Sequence, residues 1–192
     1  MSLLVGLAGP KGCGKSTVAA ALVELGRYHL GAQGLGTASI CVRQRFAGPL
    51  KDMLRTLGLT DAQVDGDEKE TPSELLCGAA PRYAMQTLGT DWGRRLLGEN
   101  LWVNATMLRV DADLDLGHVV VIDDLRFDNE ALAIRERGGL IIQLQRPSVS
   151  YTGEHASEVG VSGHLVDHIV PNAGTPDACA QHVLQLLRKH NP

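Results

Sequence analysis

The chain alternates short apolar runs with longer amphipathic stretches. Leu3-Leu4-Val5-Gly6-Leu7-Ala8 is uninterrupted, the pattern of a strand covered on both faces. A helix is predicted from about Lys15 to Tyr28, with Val18, Leu22 and Leu25 on one side. Thr37 to Val42 reads as a short second strand. His118 to Ile122, with its β-branched run Val119-Val120-Val121-Ile122, reads as a central one. A helix over about Asn129 to Arg137, closed by Gly138-Gly139, leads to a fourth strand at Leu140–Leu144. Asp167 to Val170 is a fifth strand and Thr175 to His190 a final helix. Strands alternating with helices imply a parallel sheet with helices on both faces.

The stretch from about Arg43 to Asp115 breaks that rhythm. It reads as helices near Gly48–Leu57, Pro81–Leu97 and Leu101–Leu114, an all-helical insertion between the second and third strands. The expected organisation is therefore a core of residues 1–42 and 116–192 interrupted by a helical unit at 43–115. The acidic stretch Asp61–Glu70 reads as a solvated loop, and Asp65-Gly66-Asp67 does not have calcium-loop spacing.

Composition narrows the classes of function. The 192 residues are 44% hydrophobic and 21% charged, the balance of a globular domain, and carry a net charge of −4. A mildly acidic chain with 4% aromatics is poorly suited to wrapping a nucleic-acid polymer. No apolar run reaches the ~18 residues of a membrane span, and Met1–Ala8 lacks the features of a signal peptide. Cys13, Cys41, Cys77 and Cys179 form no C-x-x-C pair and read as reduced thiols, so a cytoplasmic location is expected.

Gly9-Pro10-Lys11-Gly12-Cys13-Gly14-Lys15-Ser16 matches G-x-x-x-x-G-K-[ST], after a strand pattern and at the start of a helix. Its glycines let successive backbone N–H groups turn toward a phosphate, and the helix N-terminus adds partial positive charge. Lys15 would reach the β- and γ-phosphates of ATP, and the Ser16 hydroxyl would hold Mg²⁺. Gly9, Lys11, Gly12, Cys13, Gly14 and Thr17 complete the expected ATP contacts. The Cys13 thiol, beside Lys15 and the loop amides, is expected to react with alkylating agents if accessible.

Such an enzyme also needs a carboxylate past a neighbouring strand. Asp123 and Asp124 follow the Val119–Ile122 strand, where such a group belongs; the alternative is an acidic pair that only caps the next helix. Arg126 can meet a phosphate, Asp123 or Glu130.

Five segments taken together resemble phage-type deoxynucleoside monophosphate kinases, over nearly the whole chain. They are Gly9–Thr17, Phe46-Ala47-Gly48-Pro49-Leu50-Lys51-Asp52, Arg82–Asp91, Asp124–Ala131 with Gly138-Gly139, and His155-Ala156-Ser157-Glu158. The resemblance implies an α/β P-loop kinase with a five-stranded parallel sheet, a helical acceptor-binding insertion and a short lid at about 147–163. The implied reaction is ATP-dependent phosphorylation of a deoxynucleoside monophosphate with Mg²⁺, by a monomer or homodimer. Another small-molecule kinase, such as a dephospho-coenzyme A kinase, or a nucleotide-dependent switch is the alternative. The absence of N-K-x-D argues against a GTPase.

By the same resemblance, Lys51, Arg82, Gln86 and Asp91 bind the acceptor, and Arg146, Asn172 and Gly174 lie on the ATP side. Alignment on Arg126 selects Asp124 over Asp123 for Mg²⁺, where the family pattern has a single aspartate. Lys15, Asp124 and Arg126 are thus the expected catalytic set. Phe46 and Trp92 either stack on the base or pack in the core. Arg94 and Arg95 are phosphate ligands or surface charges.

Overall fold

The computed structural model describes residues 3–29, 40–147, 149 and 160–190. The chain forms two compact units, Met1–Arg45 with Met107–Pro192, and Phe46–Thr106.

The first unit is built on five parallel strands in the order β2-β3-β1-β4-β5. They are β1 Leu3–Ala8, β2 Cys41–Gln44, β3 Val119–Ile122, β4 Leu140–Gln145 and β5 His168–Pro171. β1 is buried at all six positions because it lies at the centre, with strands on both sides and helices on both faces. Side-chain alternation assigns its residues to those faces. Leu3, Val5 and Leu7 share a core with Val18 and Leu22 of α1 (Lys15–His29) and Val183 and Leu187 of α7 (Pro176–His190). On the other face, a Cβ at Gly6 would meet Leu125 at 2.9 Å and Ile134 of α6 (Asp128–Arg135) at 2.6 Å, so a larger side chain has no room.

β2 runs on through Gln44, two residues past the end expected at Val42, and places Arg43 within the sheet. Residues 37–39 of that expectation lie outside the described residues, as do 150–159 of the expected lid, including His155 and Glu158.

The second unit has its own small core. Leu50 and Leu54, one turn apart on α2 (Gly48–Thr56), pack with Leu59, Val64 and Trp102. The acidic stretch is not simply a solvated loop. Thr60 and Gln63 form a reciprocal capping box that starts a short helix α3 (Asp61–Val64). Arg55 donates to Asp61 at 2.8 Å and to Asp65 at 2.6 Å, and Lys51 donates to Asp65 at 2.6 Å.

The expected single helix over Pro81–Leu97 divides in two. α4 (Pro81–Gln86) is α-helical, and Thr87–Leu97 continues as a π-helix. Trp102, on α5 (Leu101–Asp115), accounts for the change. Its Nε1 donates to the Gly89 carbonyl at 2.8 Å, and a Cβ at Gly93 would sit 2.5 Å from that nitrogen. The indole takes space and a carbonyl that a tight helix with larger residues would deny it.

Candidate active site

The phosphate loop connects β1 to α1. Gly9 has φ +135, and a Cβ there would meet the Leu144 carbonyl at 2.6 Å and Cys13 Sγ at 2.7 Å. Gly14 has φ +97, and its missing Cβ leaves the space taken by the Asn172 side-chain amide. That amide donates to the Cys13 carbonyl at 2.8 Å. Asn172 therefore braces the loop from the exit of β5.

Lys15 Nζ donates to the carbonyls of Gly9 at 2.5 Å and Pro10 at 2.9 Å. Burial lowers its pKa. The Cys13 thiol and the Asp123 carboxylate oppose that shift, and the Arg126 charge adds to it. The charges of Asp123 and Arg126 thus both act on Lys15 at the loop. Ser16 and Thr17, the first residues of α1 after Lys15, are exposed, as are Lys11 and Gly12.

Of the two aspartates, Asp123 meets Ser16. It is 2% exposed and accepts a hydrogen bond from the Ser16 hydroxyl. The expected choice was Asp124, and strand alternation explains why Asp123 is the one that meets Ser16. Val119 and Val121 belong to the core facing α1, so the next position on that face is Asp123. Asp124 is one step out of phase and half-buried. Burial pushes the Asp123 carboxyl up. Hydrogen bonds from Arg43 and Ser16, with the charges of Arg43 and Arg45, outweigh it and hold the group below the usual carboxylate range.

Arg43 and Arg45 are the site residues that the sequence reading missed. Arg43 Nε donates to Asp123 Oδ1 at 2.9 Å, and its Nη2 contacts Oδ2. Arg45 Nε reaches Oδ1 at 3.3 Å. The available signal was two arginines spaced two apart, and so on one face, at the end of a strand.

Arg126 is exposed at the surface, but its position is fixed by its backbone. Glu130, 2% exposed, accepts the backbone N–H groups of Arg126 at 2.9 Å and Phe127 at 3.2 Å. Asp128, on the same turn, accepts from the Ser162 N–H at 2.8 Å and hydroxyl at 2.6 Å. Arg146 and Gly174 are exposed just past β4 and β5.

The expected acceptor residues all lie in the second unit. Arg82 and Gln86 are exposed four residues apart on α4, hence on one side of it. Arg82 is ion-paired with Glu70, Lys51 with Asp65, and Asp91 with Arg95 at 2.8 Å. Phe46 is 3% exposed and packs in the core, whereas Trp92 is 39% exposed with its ring centroid 6.1 Å from that of Trp102. Arg94 is half-buried. A groove of about 710 Å³ in this unit is lined by apolar side chains that include Met53, Leu57, Leu88 and Trp92, with Asp91 at its wall.

Cys13 departs from expectation. Its side chain is 0% exposed and belongs to the core beneath the loop. Cys41 and Cys179 are also buried, and burial pushes the Cys41 thiol up to about 12 and raises that of Cys179. Cys77 is exposed. Iodoacetamide should therefore modify Cys77 rapidly in the folded protein and the other three only on unfolding. Peptide mass mapping that finds Cys13 labelled as fast as Cys77 would contradict this arrangement.

Among the described residues, no group of three or more His, Cys, Asp or Glu side chains is placed to hold a metal, and no helix is long and apolar enough to cross a membrane.

Comparison with known proteins adds identity to this geometry. The deoxynucleotide monophosphate kinase family model matches residues 79–183. A putative deoxynucleotide monophosphate kinase of Acanthamoeba polyphaga mimivirus is 34% identical over 174 residues, 82% of this chain and 81% of that protein. The deoxynucleoside-5′-monophosphate kinase of Escherichia phage T5 is 30% identical over 100 residues, 48% of this chain and 39% of that protein. Among solved structures, an APS kinase of Mycobacterium tuberculosis aligns at a TM-score of 0.42 and 19% identity, over 97% of each chain. A dephospho-CoA kinase from Campylobacter jejuni aligns at 0.43 and 10%, over 98% of this chain and 97% of that one. With more than half its length matched by the family model and a relative of this identity along four-fifths of it, the chain belongs to the deoxynucleotide monophosphate kinase family.

Proposed function

We propose that this protein transfers the γ-phosphoryl group of ATP to the 5′-phosphate of a deoxynucleoside monophosphate, giving ADP and the deoxynucleoside diphosphate. The observation that carries the reading is the phosphate loop itself, where Lys15 Nζ sits on the Gly9 and Pro10 carbonyls and Asp123 meets Ser16, in a chain of this family.

An oxygen of the acceptor phosphate forms a bond to the γ-phosphorus as the bond to the β,γ-bridging oxygen breaks. The leaving oxygen keeps the electron pair as part of ADP. No side chain need become a covalent nucleophile, because the acceptor phosphate is already anionic. The loop amides cradle the phosphates, and Lys15 exchanges its hold on the Gly9 and Pro10 carbonyls for phosphate oxygens. Arg126 brings a second cation to the same place. Ser16 and Asp123 suit Mg²⁺, since a hydroxyl and an ionised carboxylate joined by a hydrogen bond are both hard oxygen donors. Bound there, Mg²⁺ would neutralise charge on the β- and γ-phosphates.

The acceptor side rests on the second unit. Arg82 would exchange Glu70 for the acceptor phosphate, while Lys51, Gln86 and Asp91 supply further polar contacts. Arg146, Asn172 and Gly174 lie where the ATP base and ribose would be held, and 147–163 is the proposed lid. Both substrates are metabolites of the cytoplasm, the compartment proposed for the enzyme.

A coupled assay of ADP release across the common deoxynucleoside and ribonucleoside monophosphates tests this. At least one deoxynucleoside monophosphate should raise ATP turnover well above the acceptor-free rate. If none does, the reading fails, and stimulation by dephospho-coenzyme A instead would name the replacement.

A further inference from the structure

The family resemblance puts Asn172 on the ATP side, and the structure commits its side-chain donor to the phosphate loop. Nδ2 donates to the Cys13 carbonyl at 2.8 Å, across 159 residues of chain. The Asn172 backbone N–H donates to the Gln145 carbonyl at 2.7 Å, directly after the pairing of Gln145 with Pro171 that ends the β4–β5 ladder. The amide is thus projected from the rim of the sheet. Gly14 makes room for it, since a Cβ there would lie 2.4 Å from Nδ2. The start of the loop is set against the same rim, because a Cβ at Gly9 would lie 2.6 Å from the Leu144 carbonyl.

Cys13 is held through its N–H, its carbonyl and its side chain. The N–H donates to the Pro10 carbonyl at 3.2 Å, the carbonyl accepts from Asn172, and the side chain is buried in the core beneath the loop. The Cys13 carbonyl and the Gly14 N–H belong to one planar trans peptide, in which these two groups point in opposite directions. Holding the carbonyl against Asn172 therefore turns the Gly14 N–H to the other side, away from the β5 rim. Beyond it the Gly14 carbonyl accepts from Val18 at 2.9 Å, so this peptide is the last one before α1 takes over the backbone. In a glycine-rich loop that opens a helix, such inward-turned N–H groups are what meets a phosphate oxygen. A carbonyl turned the same way would repel it.

We infer that Asn172 is a positioning residue, whose amide fixes the Cys13–Gly14 peptide so that the Gly14 N–H faces the phosphates of the bound nucleotide. It acts on the polyphosphate through the loop, from the far end of the sheet. This role presupposes the phosphate-loop reading above and adds to it the residue that sets the orientation of one cradle amide.

Tripolyphosphate separates this role from a contact with the base, because it has none. Calorimetry without acceptor gives the affinities of Mg²⁺-tripolyphosphate and Mg²⁺-ADP for wild type, for Asn172→Leu, which keeps the shape and loses the donor, and for Asn172→Ala. Both ligands should weaken together in each variant, by roughly five- to tenfold, the worth of one hydrogen bond. The amide resonances supply a readout that a merely structural brace would not move. In wild type, tripolyphosphate should shift the Gly14 amide proton downfield. In Asn172→Leu that shift should shrink, while the Ser16 amide, carried by α1, keeps its own.

Tripolyphosphate affinity within about twofold of wild type in both variants would overturn the inference. A loss confined to ADP would also overturn it and return Asn172 to the base. If neither variant folds, the wild-type spectrum decides, and a Gly14 amide unmoved by saturating tripolyphosphate would overturn it equally. No arm of the experiment uses an acceptor. Failure of every deoxynucleoside monophosphate as acceptor would remove the proposed reaction, and the tripolyphosphate comparison would still report on Asn172.

Discussion

Replacing Lys15 with alanine should lower the rate of phosphoryl transfer by on the order of 10²–10³-fold, the usual cost of removing one group that stabilises transition-state charge. Its Nζ contacts lie within the loop itself, to the Gly9 and Pro10 carbonyls and to Cys13 Sγ at 3.8 Å. The lysine is not a member of the hydrophobic core, which Val18, Leu22 and Cys13 build with the sheet. The melting temperature of Lys15→Ala should therefore stay within a few degrees of wild type while kcat collapses. A variant that keeps more than about a tenth of wild-type turnover would disprove the role assigned to the loop.

Asp123→Asn should be damaging twice over, to rate and to fold, and more so than Asp124→Asn. Asparagine keeps the shape of the side chain but removes the charge that Arg43 and Arg45 share. Leaving partly buried guanidinium groups without their anion costs about 3 kcal/mol, read as a shift in denaturant midpoint. The acid side of the stability curve should change as well. Because the folded protein holds the Asp123 carboxyl below the usual range, its stabilising effect is complete above the unfolded value of about 3.9. It is lost as the pH falls through the lowered folded value. Asp123→Asn lacks that proton-linked loss, so its stability should vary less below pH 4 than that of wild type. Equal effects of the two substitutions, or a larger one at Asp124, would return the metal-side role to Asp124.

Much of this site was legible in the sequence wherever its causes are local. The strand, loop and helix over Leu3–His29 follow from an apolar run, a glycine pattern and a helical period in adjacent residues, and the structure has all three in place. Asp123 was legible in principle. Counting alternate positions along Val119–Ile122 selects it, whereas alignment on Arg126 selected its neighbour, because a short motif fixes spacing without stating which face a residue takes. For Arg43 and Arg45 the sequence offered their spacing at the end of a strand but not their partner. Their partner is 80 and 78 residues further along the chain, and only the pairing of β2 with β3 brings them together. The π-helix was hidden for the same reason on a smaller scale, since the Trp102 indole that occupies it comes from the next helix. Cys13 was misread as reactive because a loop motif gives no depth. The strand core continues beneath the loop and encloses the thiol.

The position of β1 has a consequence for how the chain is made. Its neighbours in the sheet are β3 and β4, so Leu3 pairs with Val119 and Val5 with Leu140. During synthesis, an apolar segment of six residues must therefore wait for partners more than a hundred residues downstream. At about 5–20 residues per second the 116 residues from Leu3 to Val119 take roughly 6–23 s, long on the scale of chain collapse. Parallel strands joined across such a distance carry a high loop-closure cost before any pairing rewards it. The residues that become the floor of the phosphate site are, in the nascent chain, an unpaired and sticky strand. A chaperone that shields exposed apolar segments would find its target in a strand that the finished enzyme buries at all six positions.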